Sequence, residues 1–447
     1  MAQRVARRDF LKKAAVAAGF YSLSGSVSAT ARASSATPRR VSPNEKLNIG
    51  VIGVGNRGEA NTNQVLSENI VALCDIDTTY LGKASEQFPQ AKIYRDWREL
   101  LDQNDIDAVM INTADQVHAH ASVKAMRLGK HVYCEKPLAH SVHEARVVRQ
   151  TYLECKGKVA TQMGTQIHAT ENYRRVLELV RGGAIGPVRE AHAWCNRVGP
   201  GGQLPEGRHP VPDNLSWDLW LGPAPYRPYH PHYIDDPNSP KGNLTWNRYW
   251  DFGNGTLGDM GSHLIDLPFW ALDLRHPISA EATGSPHNPY TNPTWLVATW
   301  EHPARGDMPP VKLIWHDADK RPESTWGIDL TQWNIGTLFI GDEGRILADY
   351  GKHILVRDKD YRGFTPPQER IEPSPGHYQE WILACKTGSP TLCDFDYSGL
   401  LIENNLLGNV AYRVGHKIEW DAENGKAVGC PEADQYIARE YRRGWDL

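Results

Sequence analysis

The sequence predicts an α/β protein whose first half is a doubly wound parallel sheet, and three observations carry that reading. Short apolar runs alternate with helical stretches between residues 47 and 137. The first run opens directly into a glycine-rich turn, and the second ends on an acidic side chain. With 447 residues, two or three domains are expected, each large enough for its own core. Lys and Arg number 49 against 53 Asp and Glu, so no general nucleic-acid surface is implied. No run approaches the roughly 18 apolar residues of a membrane span. Tryptophan is over-represented, 15 against 8 Phe, and its flat face with a free N–H suits sugar rings as well as cores.

The first segment reads as an address. Arg7 and Arg8 precede Asp9-Phe10-Leu11-Lys12, then come a weakly apolar stretch and the A-x-A sites Ala29-Thr30-Ala31 and Ala31-Arg32-Ala33. This resembles a twin-arginine export signal over residues 1–33, followed by a linker over 34–45. The leader carries six basic residues against one acidic, so its removal takes the formal charge from −4 to −9. The expected location is periplasmic, with the export machinery as a partner and no membrane span in the mature chain. The seven Cys include no C-x-x-C pair, and Cys74 and Cys134 fall in apolar runs, so neither a disulfide framework nor a zinc site is expected.

Leu47–Ile52 is a short strand that enters Gly53-Val54-Gly55-Asn56-Arg57-Gly58, and a helix is expected from Glu59 to about Ser67. The strand Asn69–Cys74 then ends at Asp75, 17 positions past the last glycine. This spacing is a dinucleotide fingerprint. Gly53 permits the tight turn, Gly55 lets the backbone approach a pyrophosphate, and Gly58 allows close helix–strand packing at a helix N-terminus. Asp75 would accept hydrogen bonds from a ribose 2′-hydroxyl and repel a 2′-phosphate, which favours NAD over NADP. Arg57 complicates that preference, because a guanidinium there could serve a phosphate. A helix over Trp97–Leu101, a strand over Ala108–Asn112, a helix from His118 to Leu128 and a strand leading to Glu135-Lys136-Pro137 continue the alternation.

In order, G-V-G-N-R-G, C-D, T-A-D-Q-V-H, G-K-H-V-Y-C-E-K-P, V-R-G-G-A-I-G-P-V and G-D-M-G-S-H-L-I-D resemble the Gfo/Idh/MocA oxidoreductases. The ending G-H-Y-Q-E-W, L-L-G-N-V-A-Y-R and Y-R-R-G-W is similar to exported members. The resemblance implies a Rossmann domain over 46–165 and an α+β substrate and oligomerisation domain over 166–447. The second domain should carry a large, mainly antiparallel open sheet, with a homo-oligomer (dimer or tetramer) expected. It places Asn56, Arg57, Thr113, His118, Glu135 and Lys136 with the glycines and Asp75 at the cofactor. Lys136 inherits a place near the nicotinamide and the reacting hydroxyl, and a cis Lys136–Pro137 bond is suspected. The D-x-x-x-H pair maps onto Asp259 and His263, four apart on one helical face. The glycine run 253–258 before them would let backbone crowd a ligand.

The chemistry agrees with that assignment. Oxidising an alcohol removes a hydroxyl proton as hydride leaves carbon, and His263 has a suitable ordinary pKa for the base. Lys136 stabilises the developing alkoxide, with its own pKa lowered by a nearby positive ring, and Asp259 orients the imidazole or grips a sugar hydroxyl. The sequence departs from the family at Ala114, where Pro is usual. It also departs at Thr165-Gln166-Ile167-His168, where many members have an Arg that helps hold substrate. Gln166 and His168 are therefore substrate candidates, together with Trp246, Tyr249 and Trp250 from an aromatic-rich stretch that includes Tyr226, Tyr229 and Tyr233. His230, His232, Asp235 and Asp236 fit no defined metal spacing, and no metal is expected.

Export adds a constraint. A nicotinamide enzyme outside the cytoplasm lacks an NADH pool, so a tightly bound, internally recycled cofactor is expected. Two reactions satisfy it: oxidation and reduction of a secondary hydroxyl of a sugar, polyol or glycoside, and redox-neutral glycoside cleavage by oxidation, elimination, addition and reduction. The first is preferred, because no residue marks the extra acid or base that elimination needs. A cofactor-locked sugar-binding protein is the non-enzymatic alternative.

Overall fold

Asn48–Ile52 (β1) lies at the centre of a parallel sheet because its side chains are covered on both faces. The computed structural model describes residues 42, 44–234, 242–322, 329–357, 365, 368 and 371–447. Arg7, Arg8 and the rest of the proposed leader lie outside the described residues. β2 (Asn69–Cys74), β3 (Lys92–Tyr94), β4 (Ala108–Ile111), β5 (His131–Cys134) and β6 (Thr161–Met163) complete the sheet in the order β3-β2-β1-β4-β5-β6, all parallel. The helices between them are α1 (Arg57–Thr62), α2 (Thr78–Gln87), α3 (Trp97–Leu101), α4 (Asp115–Arg127) and α5 (Val142–Cys155). α1 departs from the expected Glu59–Ser67. It starts two residues earlier and stops at Thr62, where the N–H groups of Gln64 and Val65 bond three residues back instead of four.

Ile49, Val51, Ala108, Met110 and Tyr133 face one side of this sheet, and Ile52, Val109, Ile111, Val132 and Cys134 face the other. The first side is sealed partly by Trp381, Ile382 and Cys385, which come from near the end of the chain. Residues beyond the block 46–165 thus contribute to the core of this sheet. A C-terminal helix is part of its core.

The rest of the chain forms α6 (Glu171–Arg181), β7 (Val188–Cys195), α7 (Trp217–Leu221), α8 (Gly255–Leu264), α9 (Asp266–Ala271), β8 (Ser279–Gly284), β9 (Leu296–His302), β10 (Val311–His316), β11 (Ile335–Gly341), β12 (Gly344–Ala348), β13 (His353–Arg357), α10 (His377–Thr387), α11 (Phe395–Val414), β14 (Ile418–Asp421) and β15 (Lys426–Ala427). The nine strands run in the order β13-β12-β11-β7-β10-β9-β8-β14-β15, and only β7 and β10 are parallel. β9 alternates buried and half-buried residues as a one-sided strand should. α11 wedges between the two sheets, packing on α5 and on β8 and β9. Trp194, Trp300, Trp315 and Trp381 are fully buried, so much of the tryptophan excess fills cores. No helix among the described residues is long and apolar enough to cross a membrane.

His131 joins β5 to β6: its Nδ1 accepts the Ala160 N–H at 2.8 Å, which requires an unprotonated nitrogen. Burial pulls its pKa down to about 4. The folded value lies below the unfolded one, so this contribution is complete above about pH 6.5 and is lost as pH falls towards 4. In His131→Asn, stability between pH 6.5 and 4 should fall less steeply than in the parent, by about 1.4 kcal/mol per pH unit. Urea unfolding at a series of pH values measures this.

Candidate active site

The site lies at the carboxyl ends of the parallel strands, beside the point between β1 and β4 where strand order reverses. Gly53 turns the chain there with φ +80°, and a Cβ on it would meet the Asn112 carbonyl oxygen. A Cβ on Gly58 would collide with the Gly53 carbonyl, so α1 can approach β1 only with glycine at this position. Asp75 receives the Val54 N–H at 2.9 Å and the Asp77 N–H at 3.0 Å, which aims its carboxyl at the glycine turn. Burial raises its pKa. This cradle, closed by backbone wherever a side chain would intrude, fits a dinucleotide. Gly55 differs from expectation: the Tyr80 ring stands over it, and the Tyr80 hydroxyl accepts from Asn56 Nδ2 at 3.2 Å.

Arg57 pairs with Glu135 through one of its nitrogens. Its Nε donates to Glu135 Oε1 at 3.0 Å, and Asn61 Nδ2 and Gln166 Nε2 donate to the same oxygen at 2.8 and 3.1 Å. Burial opposes the Glu135 charge, but Arg57 and Lys136 outweigh it and hold the carboxyl below its ordinary range. Gln166 also donates to the Tyr133 hydroxyl at 3.1 Å. It braces Glu135 from its half-buried position.

The Lys136–Pro137 peptide is cis. His118, on α4, sets one ring nitrogen 2.7 Å from the Pro137 carbonyl oxygen and the other 3.0 Å from that of Thr113. It ties the loop bearing Lys136 to the loop after β4. Burial lowers its pKa, against the pull of the two carbonyl oxygens, each of which can be bonded only by a ring nitrogen that carries a proton.

Lys136 Nζ donates to Asp259 Oδ1, and Arg197 Nη1 donates to Asp259 Oδ2. Burial opposes ionisation of Asp259, but the two cations hold it well below the usual carboxylate range. Burial likewise works against the Lys136 charge, and Asp259 and Glu135 more than restore it, so its pKa lies above the ordinary value. In the protein without a nicotinamide, Lys136 is thus a held cation. Asp259 and His263 share a face of α8, but Asp259 holds Lys136 and makes no hydrogen bond to the imidazole. His263 is pulled down to about 4, by burial and then by Lys136, and its Nδ1 is buried without a hydrogen-bond partner. A neutral imidazole beside a fixed ammonium is an arrangement that can take a hydroxyl proton while the cation steadies the oxygen.

Three neighbours were not anticipated. Arg197 follows β7 by two residues and comes from another element entirely. Asp115 lies buried on α4, held by Asn254 Nδ2 at 3.4 Å, and burial drives its pKa far up despite nearby Lys136. Tyr350 has its ring 6.3 Å from that of His263, and its hydroxyl is buried with no partner. Only Asp115 had a signal, as the acid inside T-A-D-Q-V-H.

The remaining substrate candidates are mostly buried. His168 is buried, with Nδ1 2.9 Å from Asp266 Oδ2 and its ring stacked on Trp270 at 3.8 Å, while its Nε2 is buried without a hydrogen-bond partner. Trp250 is buried, its Nε1 bonded to the Asn288 carbonyl at 3.2 Å and its ring covered by Arg413. Tyr249 is fully buried in a satellite core with Trp217, Tyr229, Tyr233 and Phe252, and Trp246 packs against that core. The rings meet each other, as with Tyr233 and Tyr249 at 4.9 Å and 69°, and do not form an open wall. Likewise, Asn247 and Asn292 fill the space beside Gly253 and Gly255 that was expected for a ligand. His230 and His232 belong to this lobe, while Asp235 and Asp236 lie outside the described residues. Among the described residues, a compact group of metal-type ligands, His416, Cys430 and Glu432, lies after α11.

Residues 47–163 match the oxidoreductase family with an NAD-binding Rossmann fold, and residues 194–302 match the α/β C-terminal domain of the same family. An inositol 2-dehydrogenase of Salmonella paratyphi B is 28% identical over 151 residues, 33% of this chain and 45% of that protein. A glycosyl hydrolase family 109 protein of Shewanella putrefaciens is 30% identical over 214 residues, 42% of this chain and 45% of that protein. The chain therefore spans about half the length of the curated relatives it matches. An NAD-binding protein from Listeria innocua shares the fold, with a TM-score of 0.57 and 15% identity over 84% of this chain and 97% of that one. With the parallel nucleotide-binding sheet and the mostly antiparallel second sheet both in place, the chain belongs to the Gfo/Idh/MocA family of NAD-binding oxidoreductases.

Proposed function

We propose that this protein oxidises and reduces a secondary hydroxyl of a sugar, polyol or glycoside with a bound, internally recycled NAD. The observation that carries the reading is Lys136 fixed by Asp259 next to the neutral, unpartnered His263. The dinucleotide supplies a hydride acceptor at C4 of its nicotinamide. His263 takes the proton of the substrate hydroxyl, and the Lys136 ammonium stabilises the oxygen as it gains charge, leaving a ketone. The return half-reaction passes the hydride to the carbonyl carbon of a second sugar or keto compound, with the same groups returning the proton. Glu135 and His118 keep the Lys136 loop in register. Asp75, which would accept from a ribose 2′-hydroxyl and repel a 2′-phosphate, favours NAD over NADP.

Retention of the cofactor has its own support. Residues 214–216 lie across the loop that follows Asp75: Thr78 N–H bonds the Asn214 carbonyl and Ser216 N–H the Ile76 carbonyl, both at 2.9 Å. Asn214 Nδ2 also donates to Asp77 at 2.8 Å. This strap from the second domain flanks the ribose end of the cradle. It fits the export that the Arg7-Arg8 leader motif suggests, with a periplasmic location and a homo-oligomer as part of the same proposal.

A second reading, redox-neutral glycoside cleavage, is favoured by two observations. One relative is named a glycosyl hydrolase, and Tyr350 offers the additional proton-bearing group that elimination requires.

Denatured supernatant of the purified protein should contain about one NAD(H) per chain by absorbance and mass spectrometry. Protein that arrives empty and turns over added NAD freely overturns retention. Phenol release from aryl glycosides without net NADH would select the hydrolase reading. Lys136→Ala and His263→Gln should each lower hydride transfer by about 10²–10⁴-fold while leaving the fold intact by circular dichroism. Because His263 must be neutral to act, kcat/KM for oxidation should persist below pH 6 and fall only as pH drops through about 4. A pH–rate profile on the loaded protein checks this.

A further inference from the structure

Asp259 is one carboxylate between two cations, Lys136 on Oδ1 and Arg197 on Oδ2. Lys136, Arg197 and Arg57 stand against Asp259 and Glu135, which leaves one positive charge at the cleft, and burial disfavours a further negative charge on Asp115. The Arg197 side chain is 34% exposed, whereas those of Lys136 and Asp259 are 20% and 12% exposed. Arg197 uses Nη1 on Asp259 and makes no other side-chain hydrogen bond among the described residues. A guanidinium carries five donors in a planar fork, so most of its hydrogen-bonding capacity remains open. Beside it, the Tyr350 hydroxyl and His263 Nδ1 are buried without partners, and Tyr350 interacts electrostatically with both Arg197 and Asp259. Buried polar groups without partners are costly, and a polar ligand would satisfy them.

We propose that Arg197 is a carboxylate subsite, so that the substrate is an acidic sugar derivative, a uronic or aldonic acid or a glycoside of one. This deepens the reading above and rests on it. Lys136 serves the reacting hydroxyl, and Arg197 lies across Asp259 from it, so the substrate carboxylate is held on the far side of Asp259 from the carbinol. The planar fork matches a carboxylate in two parallel hydrogen bonds. A phosphate dianion would need a second uncommitted cation, and the pairing around Asp259 leaves only one charge to spare.

The test uses the as-purified, cofactor-loaded protein with matched pairs: glucuronate and glucose, galacturonate and galactose, and nitrophenyl glucuronide and glucoside, with a hexose phosphate added. Tryptophan fluorescence reads binding, and reduced-cofactor absorbance or phenol release reads turnover. The acidic member of at least one pair should bind about 10- to 100-fold more tightly. Arg197→Gln should bring that ratio to within about twofold of unity, chiefly through KM, and Arg197→Lys should restore part of it. An equal loss of kcat on both members of every pair would assign Arg197 to holding Asp259 alone and overturn the proposal. So would a preference for the neutral members or for the hexose phosphate, while leaving the sugar oxidoreductase reading in place. Failure to bind or turn over any pair overturns both. Should Arg197→Gln not fold, the ratios on the parent protein still decide.

Discussion

A lysine charge at the junction of two domains is the constraint on which the site depends. Lys136 sits at the end of β5, its side chain mostly withdrawn from water, and must be neutralised there. Its partners come from three directions: Asp259 from α8, Glu135 from its own strand end, and Arg197 through Asp259 from beyond β7. Removing one member of such a buried set costs about 3–5 kcal/mol, because the remaining charge is left unpaired. The site therefore exists only where the nucleotide-binding sheet and the second sheet are docked.

The docking is built to be firm. α10 fills a face of the first sheet with Trp381 and Ile382, and the Tyr378 hydroxyl donates to Asn61 at 2.7 Å, within the group of side chains that holds Glu135. α11 packs on both units at once, and residues 214–216 cross the loop after Asp75. Chemistry and architecture are coupled through the same residues. His118 links two loop carbonyls, Gln166 braces Glu135, and each fixes the position of the ammonium without touching it.

The fate of the aromatic residues changes how substrate recognition should be read. Of the rings that suggested a stacking wall, Tyr229, Tyr233, Tyr249 and Trp250 are buried, while Tyr226 is exposed. What faces the reacting region is polar: a guanidinium with unused donors, a buried phenol and an imidazole nitrogen without partners.

The sequence by itself determined the parallel sheet, the glycine turn, Asp75, Lys136 and the Asp259/His263 pair. In each case the signal is local: a strand beside a turn, or a four-residue spacing on one helical face. It did not reach Arg197, which meets Asp259 across 62 residues, or Tyr350, or the contribution of α10 to the first core. It offered His168 as a substrate candidate without showing the Asp266 carboxylate that pairs with it from 98 residues away. Only the tertiary structure decided these, because a pairing between distant elements leaves no periodicity in either one. The protonation states followed from the same source. Burial and neighbouring charge, not residue type, make Lys136 a fixed cation and His263 a neutral imidazole.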